Sequence, residues 1–160
     1  MKRKSLILIM VLMIALLFSS ITAASAKPNA SPLIKCVVDI QTSPPGVKPD
    51  WYGTIEGEEC SIAGTVTFNE TDENFDAGKS GHFFEEFTIK PYSGGEIHGE
   101  DNGVWNFSTF KFRANGRVTG ASEEWADLVG YKFHEMGRTT DPFDPEADVV
   151  SAPGTIMTLH

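Results

Sequence analysis

From residue 33 onward the chain repeats one pattern, an apolar residue followed by a polar one, in short runs broken by turn-forming residues. Such alternation marks strands with one buried face, because successive side chains on an extended backbone point to opposite sides. Ile34, Cys36, Val38 and Ile40 share one face of a first strand. The stretch from Pro44-Pro45-Gly46 to Pro49-Asp50 reads as a loop ending near Trp51-Tyr52. A second strand is predicted over 60–69, with Ile62, Val66 and Phe68 on the apolar side. Thr71 to Ser80 is polar and reads as a loop, after which Phe83, Phe87 and Ile89 line a third strand ending near Pro91. Beyond the turn Ser93-Gly94-Gly95 come a short strand over 96–100, a turn signal at Asp101-Asn102-Gly103, and a long aromatic strand over 104–113. Asn115-Gly116 is the strongest hairpin signal, since both residues tolerate positive φ, and 117–121 returns as its partner. Only 122–128 looks helical, with Ser122 placed to cap it. A strand over 131–139, an acidic proline-rich loop over 141–153 and a terminal strand over 155–160 complete the pattern.

These runs amount to about eight short strands with almost no helix, which implies an all-β fold, a closed antiparallel barrel or a β-sandwich. The barrel is preferred because the last strand runs to the final residue. Pairing it with an early strand closes the sheet and removes its edges.

The N-terminus follows a different rule. Lys2, Arg3 and Lys4 precede an apolar run from Leu6 to Phe18, and Ala24-Ser25-Ala26 follows. A charged start, a short apolar centre and a small-residue cleavage site identify residues 1–26 as a signal-peptide helix. The apolar run spans only about 20 Å at ~1.5 Å per residue, short of a hydrocarbon core of about 30 Å. Residues 27–32 read as a mobile segment leading into one barrel domain over 33–160, and the expected location is extracytoplasmic. Cleavage removes three positive charges and no acids, so the formal charge of −9 becomes −12. A surface this acidic repels phosphate backbones and excludes nucleic acid as a partner. Cys36 and Cys60 are an even pair in an exported chain, which favours one disulfide. Each has the parity of its strand's apolar side, as a buried cross-strand bridge requires.

Strand parity also exposes the candidate chemistry. Glu85 shares a face with Phe83, Phe87 and Ile89, and Glu135 with Tyr131 and Phe133. A carboxylate among inward aromatics is costly to ionise, and its pKa rises. Asn106 has the parity of Val104, Phe110 and Phe112. In a barrel, Glu85, Asn106, Tyr131 and Glu135 would project into one lumen as a polar ligand site or an acid/base pair. The four histidines, His82, His98, His134 and His160, form no H-x-H or H-E-x-x-H, so no metal site is assigned to them. Asp72-x-Asn74-x-Asp76 begins like a calcium loop, but Ala77 replaces the required glycine and Phe83 the closing glutamate. No cofactor motif is legible.

From Gly103 to Thr140 the order is Gly-Val-Trp, a strand, Asn115-Gly116-Arg117-Val118, then Thr119-Gly120-Ala121-Ser122, then Trp125-Ala126-Asp127-Leu128-Val129-Gly130 and a further strand. This rhythm, about a quarter of the chain, resembles that of the allene oxide cyclase and dirigent-like barrels. The resemblance implies an eight-stranded antiparallel barrel, often oligomeric, whose lumen guides small apolar molecules through cyclisation or coupling without a cofactor. The family's catalytic residues do not map one by one onto this chain. The expectation is therefore an exported barrel that binds a small, largely apolar ligand or a partner protein. The alternative is a cofactor-free isomerase or cyclase with Glu85 and Glu135 as acid and base.

Overall fold

The computed structural model describes residues 33–160 except 77–79 and 145, with the backbone alone at 74–76. The signal peptide expected at 1–26 and the segment 27–32 lie outside the described residues. The strands are β1 (Ile34–Thr42), β2 (Trp51–Glu56), β3 (Gly64–Asp76), β4 (Ser80–Pro91), β5 (Ile97–Asn106), β6 (Lys111–Ala121), β7 (Lys132–Arg138) and β8 (Ser151–Leu159), with a 3-10 helix, Glu123–Leu128, between β6 and β7. Each strand pairs antiparallel with the next, and β8 returns to β1 from Ile34↔Leu159 to Gln41↔Ser151, closing a barrel of eight strands. Closure through the last strand leaves no sheet edge exposed.

The strand count agrees with the sequence reading, although four local assignments do not. The segment after the first loop is a strand of its own, β2, pairing Trp51↔Phe68 on one side and Thr42↔Trp51 on the other. The Asp101-Asn102-Gly103 turn signal is overridden, because β5 runs straight through it. Asn115-Gly116 is not a hairpin either: both residues lie inside β6, paired with Asn102 and Asp101. The chain reverses instead at 107–110, where Phe110 takes a positive φ of 56°. The expected loop 71–80 is largely strand, since β3 continues to Asp76 against β4, and the register shifts between Glu70 and Asp72. Such a shift is a bulge, which lets one hairpin arm curl with the barrel wall.

Cys36 and Cys60 are bonded. The bridge does not join two strands, because Cys60 sits in the turn between β2 and β3. It ties that turn to β1 at the end of the barrel where β1 begins. Around it Ile34, Ile55, Ile62, Ile89, Ile97, Val118, Leu128 and Leu159 are buried and seal that end. Ser122 makes no capping bond to its helix. Its hydroxyl donates to Glu96 O (3.1 Å) and accepts from Glu96 N (2.7 Å), pinning the helix to the start of β5.

Above this floor lies an aromatic layer, with Phe87 stacked on Phe133 at 4.4 Å and Phe68 6.3 Å from Phe87. An eight-stranded barrel has room for its inward side chains and little more. Large rings fit only where facing strands give way. A Cβ at Gly99 would lie 2.0 Å from the Phe87 ring, and one at Gly103 2.1 Å from the Phe83 ring. The two glycines of β5 thus let phenylalanines of β4 lie against the neighbouring backbone.

Candidate functional site

The alternation that buries Phe83 and Phe87 also buries the residue between them, Glu85. Pairing then builds a row of acids. Glu85 stands opposite Glu70 of β3 and opposite Asp101 of β5. Directly opposed residues on one face bring their Cβ atoms to about 4.5–5.5 Å, and like charges there repel. Glu135 of β7 is the fourth carboxyl of this level, buried to 3 % exposure, with Asp101 at 4 % and Glu85 at 7 %. Gly116 lets β6 approach the row, since a Cβ there would lie 2.0 Å from Glu100 O and 2.5 Å from the Asp101 Cβ.

Among the described residues no salt bridge reaches Glu85, Asp101 or Glu135. Lys48 is held by Asp50 and donates weakly to Glu70 O at 3.4 Å. Burial therefore dominates the electrostatics. The Asp101 carboxyl is pushed up to about 7 by desolvation. Glu135 is raised well above the ordinary glutamate value, first by burial and then by Asp101. Glu85 is raised for the same first reason, with Asp101, Glu135 and Glu70 adding repulsion. Glu70 is raised less, because Trp51 Nε1 donates to its Oε1 at 3.2 Å and offsets part of the desolvation. These groups hold protons that surface carboxyls lose. Both Asp101 oxygens and Glu135 Oε1 are buried without a hydrogen-bond partner, as is Trp105 Nε1.

Glu70, Glu85 and Glu135 line an internal pocket with Ile40, Trp51, Phe68, Phe83, Trp105, Phe112 and Thr139. Asp101 stands beside Glu85 and does not line it. The cavity volume is about 30 Å³. One water needs about 10–15 Å³ on this measure, so the pocket as it stands holds a water or two and no organic molecule. Its outer wall is a chain of rings. Trp51 meets Trp105 edge-on at 6.2 Å, Trp105 meets Phe107 at 5.3 Å, and Phe107 meets Phe143 at 5.8 Å. Phe143 belongs to the acidic β7–β8 loop and is largely exposed, and its contact with Phe107 joins that loop to the pocket's aromatic wall.

The structure brings Glu85 and Glu135 into the lumen and leaves the other two expected residues out. Asn106 is exposed at the end of β5, where its Oδ1 accepts from Ser108 N (3.0 Å), Thr109 N (3.0 Å) and Thr109 Oγ1 (3.1 Å). It shapes the β5–β6 turn. The turn at 107–110 breaks the parity that linked it to Phe112. Tyr131 precedes β7, half-buried at the sealed end, and its backbone bonds Leu128 and Val118. Asp101 and Trp105 are the residues that sequence reading missed. The alternation Ile97, Gly99, Asp101, Gly103, Trp105 carries the signal, once Asp101-Asn102-Gly103 is taken as strand.

The histidines face outward or lie at strand ends. His98 pairs with Thr88 and Glu96, and His134 stacks on His160 at 4.9 Å while contacting Asn115 Oδ1. Among the described residues no three His, Cys, Asp or Glu side chains converge on a metal-sized point. The calcium-like residues 72–76 are part of β3 and form no loop. No helix among the described residues is long and apolar enough to cross a membrane. Comparison with protein-family models, with curated proteins and with solved structures gives no match.

Proposed function

We propose that this chain is an exported barrel that binds a small, largely apolar molecule in its lumen, its polar group set on the buried carboxyls. The observation that carries the reading is the pocket between Trp51, Phe83, Trp105 and Phe112, whose inner wall is Glu85 and Glu135. Apolar walls with a few convergent polar groups are the usual make-up of a small-molecule site. Keeping carboxyls in that wall costs stability that an all-apolar core would not lose. Ligand entry requires the half-buried Trp105 and Phe112 to swing outward. Export belongs to the same reading, supported by the Cys36–Cys60 bond, which persists in oxidising compartments.

Tryptophan emission, with Trp51 and Trp105 in the pocket wall, reports occupancy by a neutral aromatic probe such as 2-naphthol. Saturable quenching is expected, weakened several-fold by Glu85→Gln with Glu135→Gln. If both substitutions leave probe binding and stability untouched, the lumen site is wrong.

One observation favours the cofactor-free isomerase or cyclase as a second reading. Asp101, pushed up to about 7 by burial, stands opposite Glu85, a pocket-lining carboxyl that burial also raises. A buried carboxyl that titrates near neutral pH is suited to general acid–base work. Turnover of a bound probe, lost in Glu85→Gln, distinguishes this reading from binding alone.

A further inference from the structure

Glu135, whose Oε1 is buried without a partner, lines the pocket, and beside Glu85 both Asp101 oxygens are buried without one as well. The described residues lining the pocket include three glutamates and no basic side chain. Among the described residues, the titratable groups facing this level all have the same sign: Glu70 from β3, Glu85 from β4, Asp101 from β5, Glu135 from β7, and Asp50 ahead of β2, whose Oδ2 accepts from Glu70 N. The neighbouring β7–β8 loop adds Asp141, Asp144, Glu146 and Asp148. The remaining walls are ring faces and edges, Trp51 and Trp105 foremost.

From this arrangement we infer that the lumen ligand is an organic cation, a protonated amine on an aromatic or aliphatic body. The inference rests on the lumen-binding reading and deepens it. An ammonium head brings donors and a charge together, and it meets both halves of the pocket. Carboxylates take its N–H groups in charge-assisted bonds. Indole faces attract the cation through their quadrupoles. A bare metal ion fits less well, because it needs several ligands at one point and the side chains do not converge that way. The cavity as it stands, about 30 Å³, has the size of an ammonium head, while the body takes the place of the rings that move aside. Acids around the mouth draw cations toward it.

The carboxyls keep their protons in the empty pocket, so a cation that binds them as carboxylates displaces protons into solution. The experiment compares phenethylammonium with 2-phenylethanol, which has the same aromatic body and a neutral hydroxyl, on the full mature chain. Calorimetry at pH 7.5 in two buffers of different ionisation enthalpy reads both affinity and protons released. The amine is expected to bind at least about tenfold tighter than the alcohol, releasing protons, with the preference shrinking at pH 4.5. Glu135→Gln should abolish the preference, lowering amine binding far more than alcohol binding. That substitution removes no charge from the protonated site, and a melting curve confirms the fold. Equal affinity for amine and alcohol overturns the cation inference and leaves lumen binding standing. Binding of neither overturns both. A preference that persists in both Glu135→Gln and Glu85→Gln places the cation outside the lumen and also refutes the inference.

Discussion

Stability should fall as pH rises from acid to neutral, and Asp101 gives the clearest test. Its carboxyl is raised in the folded state from an ordinary 3.8 to about 7 by burial. Between those values the native state binds a proton that the unfolded chain has released. The native state binds more protons there, so unfolding free energy declines with pH. The favourable contribution is whole below about pH 4 and is gone above about pH 7. Some three pKa units at ~1.36 kcal/mol each come to about 4 kcal/mol. At roughly 3–5 °C per kcal/mol for a domain of this size, the melting midpoint should drop by about 10–20 °C over that range. Asp101→Asn removes the titration while keeping the shape. Its difference from wild type, measured by urea denaturation at half-unit steps from pH 4 to 8.5, should grow steadily in the variant's favour. Because Asp101 also raises Glu85 and Glu135, its removal should flatten the remaining slope as well. A wild-type midpoint that rises from pH 4.5 to 7.5, or a variant that keeps the wild-type slope, would refute the account of an uncompensated acid row.

Three further outcomes follow from other parts of the barrel. Replacing Cys36 and Cys60 by serine opens a bridge of sequence separation 24 and should cost about 3 kcal/mol, read as a lower urea midpoint. Gly116→Ala puts a methyl 2.0 Å from a backbone oxygen that cannot turn away, so a loss of about 1–3 kcal/mol is expected in thermal melts. Asn106→Ala removes the acceptor of three turn bonds and should lower stability by about 1 kcal/mol, with no effect on probe binding in the lumen.

How far the sequence led can be followed residue by residue. Alternation alone put Glu85 beside Phe83 and Phe87, and Glu135 beside Phe133, because parity on an extended strand is a local property. It also gave the fold class and the closure by the last strand, while the even count of cysteines in an exported chain pointed to their pairing. It failed where local and tertiary preferences compete. Asp101-Asn102-Gly103 and Asn115-Gly116 are turn formers in isolation, yet both are held extended, paired with each other across β5 and β6. Their glycines serve to admit Phe83 and to let β6 approach Asp101, demands set by rings and strands far away in the chain. Reading Asp101-Asn102-Gly103 as a turn hid Asp101, and carrying parity across the turn at 107–110 gave Asn106 the wrong side.

Which side chains point inward is thus written in the order of residues along each strand. Which acids become neighbours is not. That depends on register, where Glu70, Glu85 and Asp101 meet in one row across three strands. Register is fixed by the whole set of cross-strand contacts and by bulges, and no segment carries that information by itself.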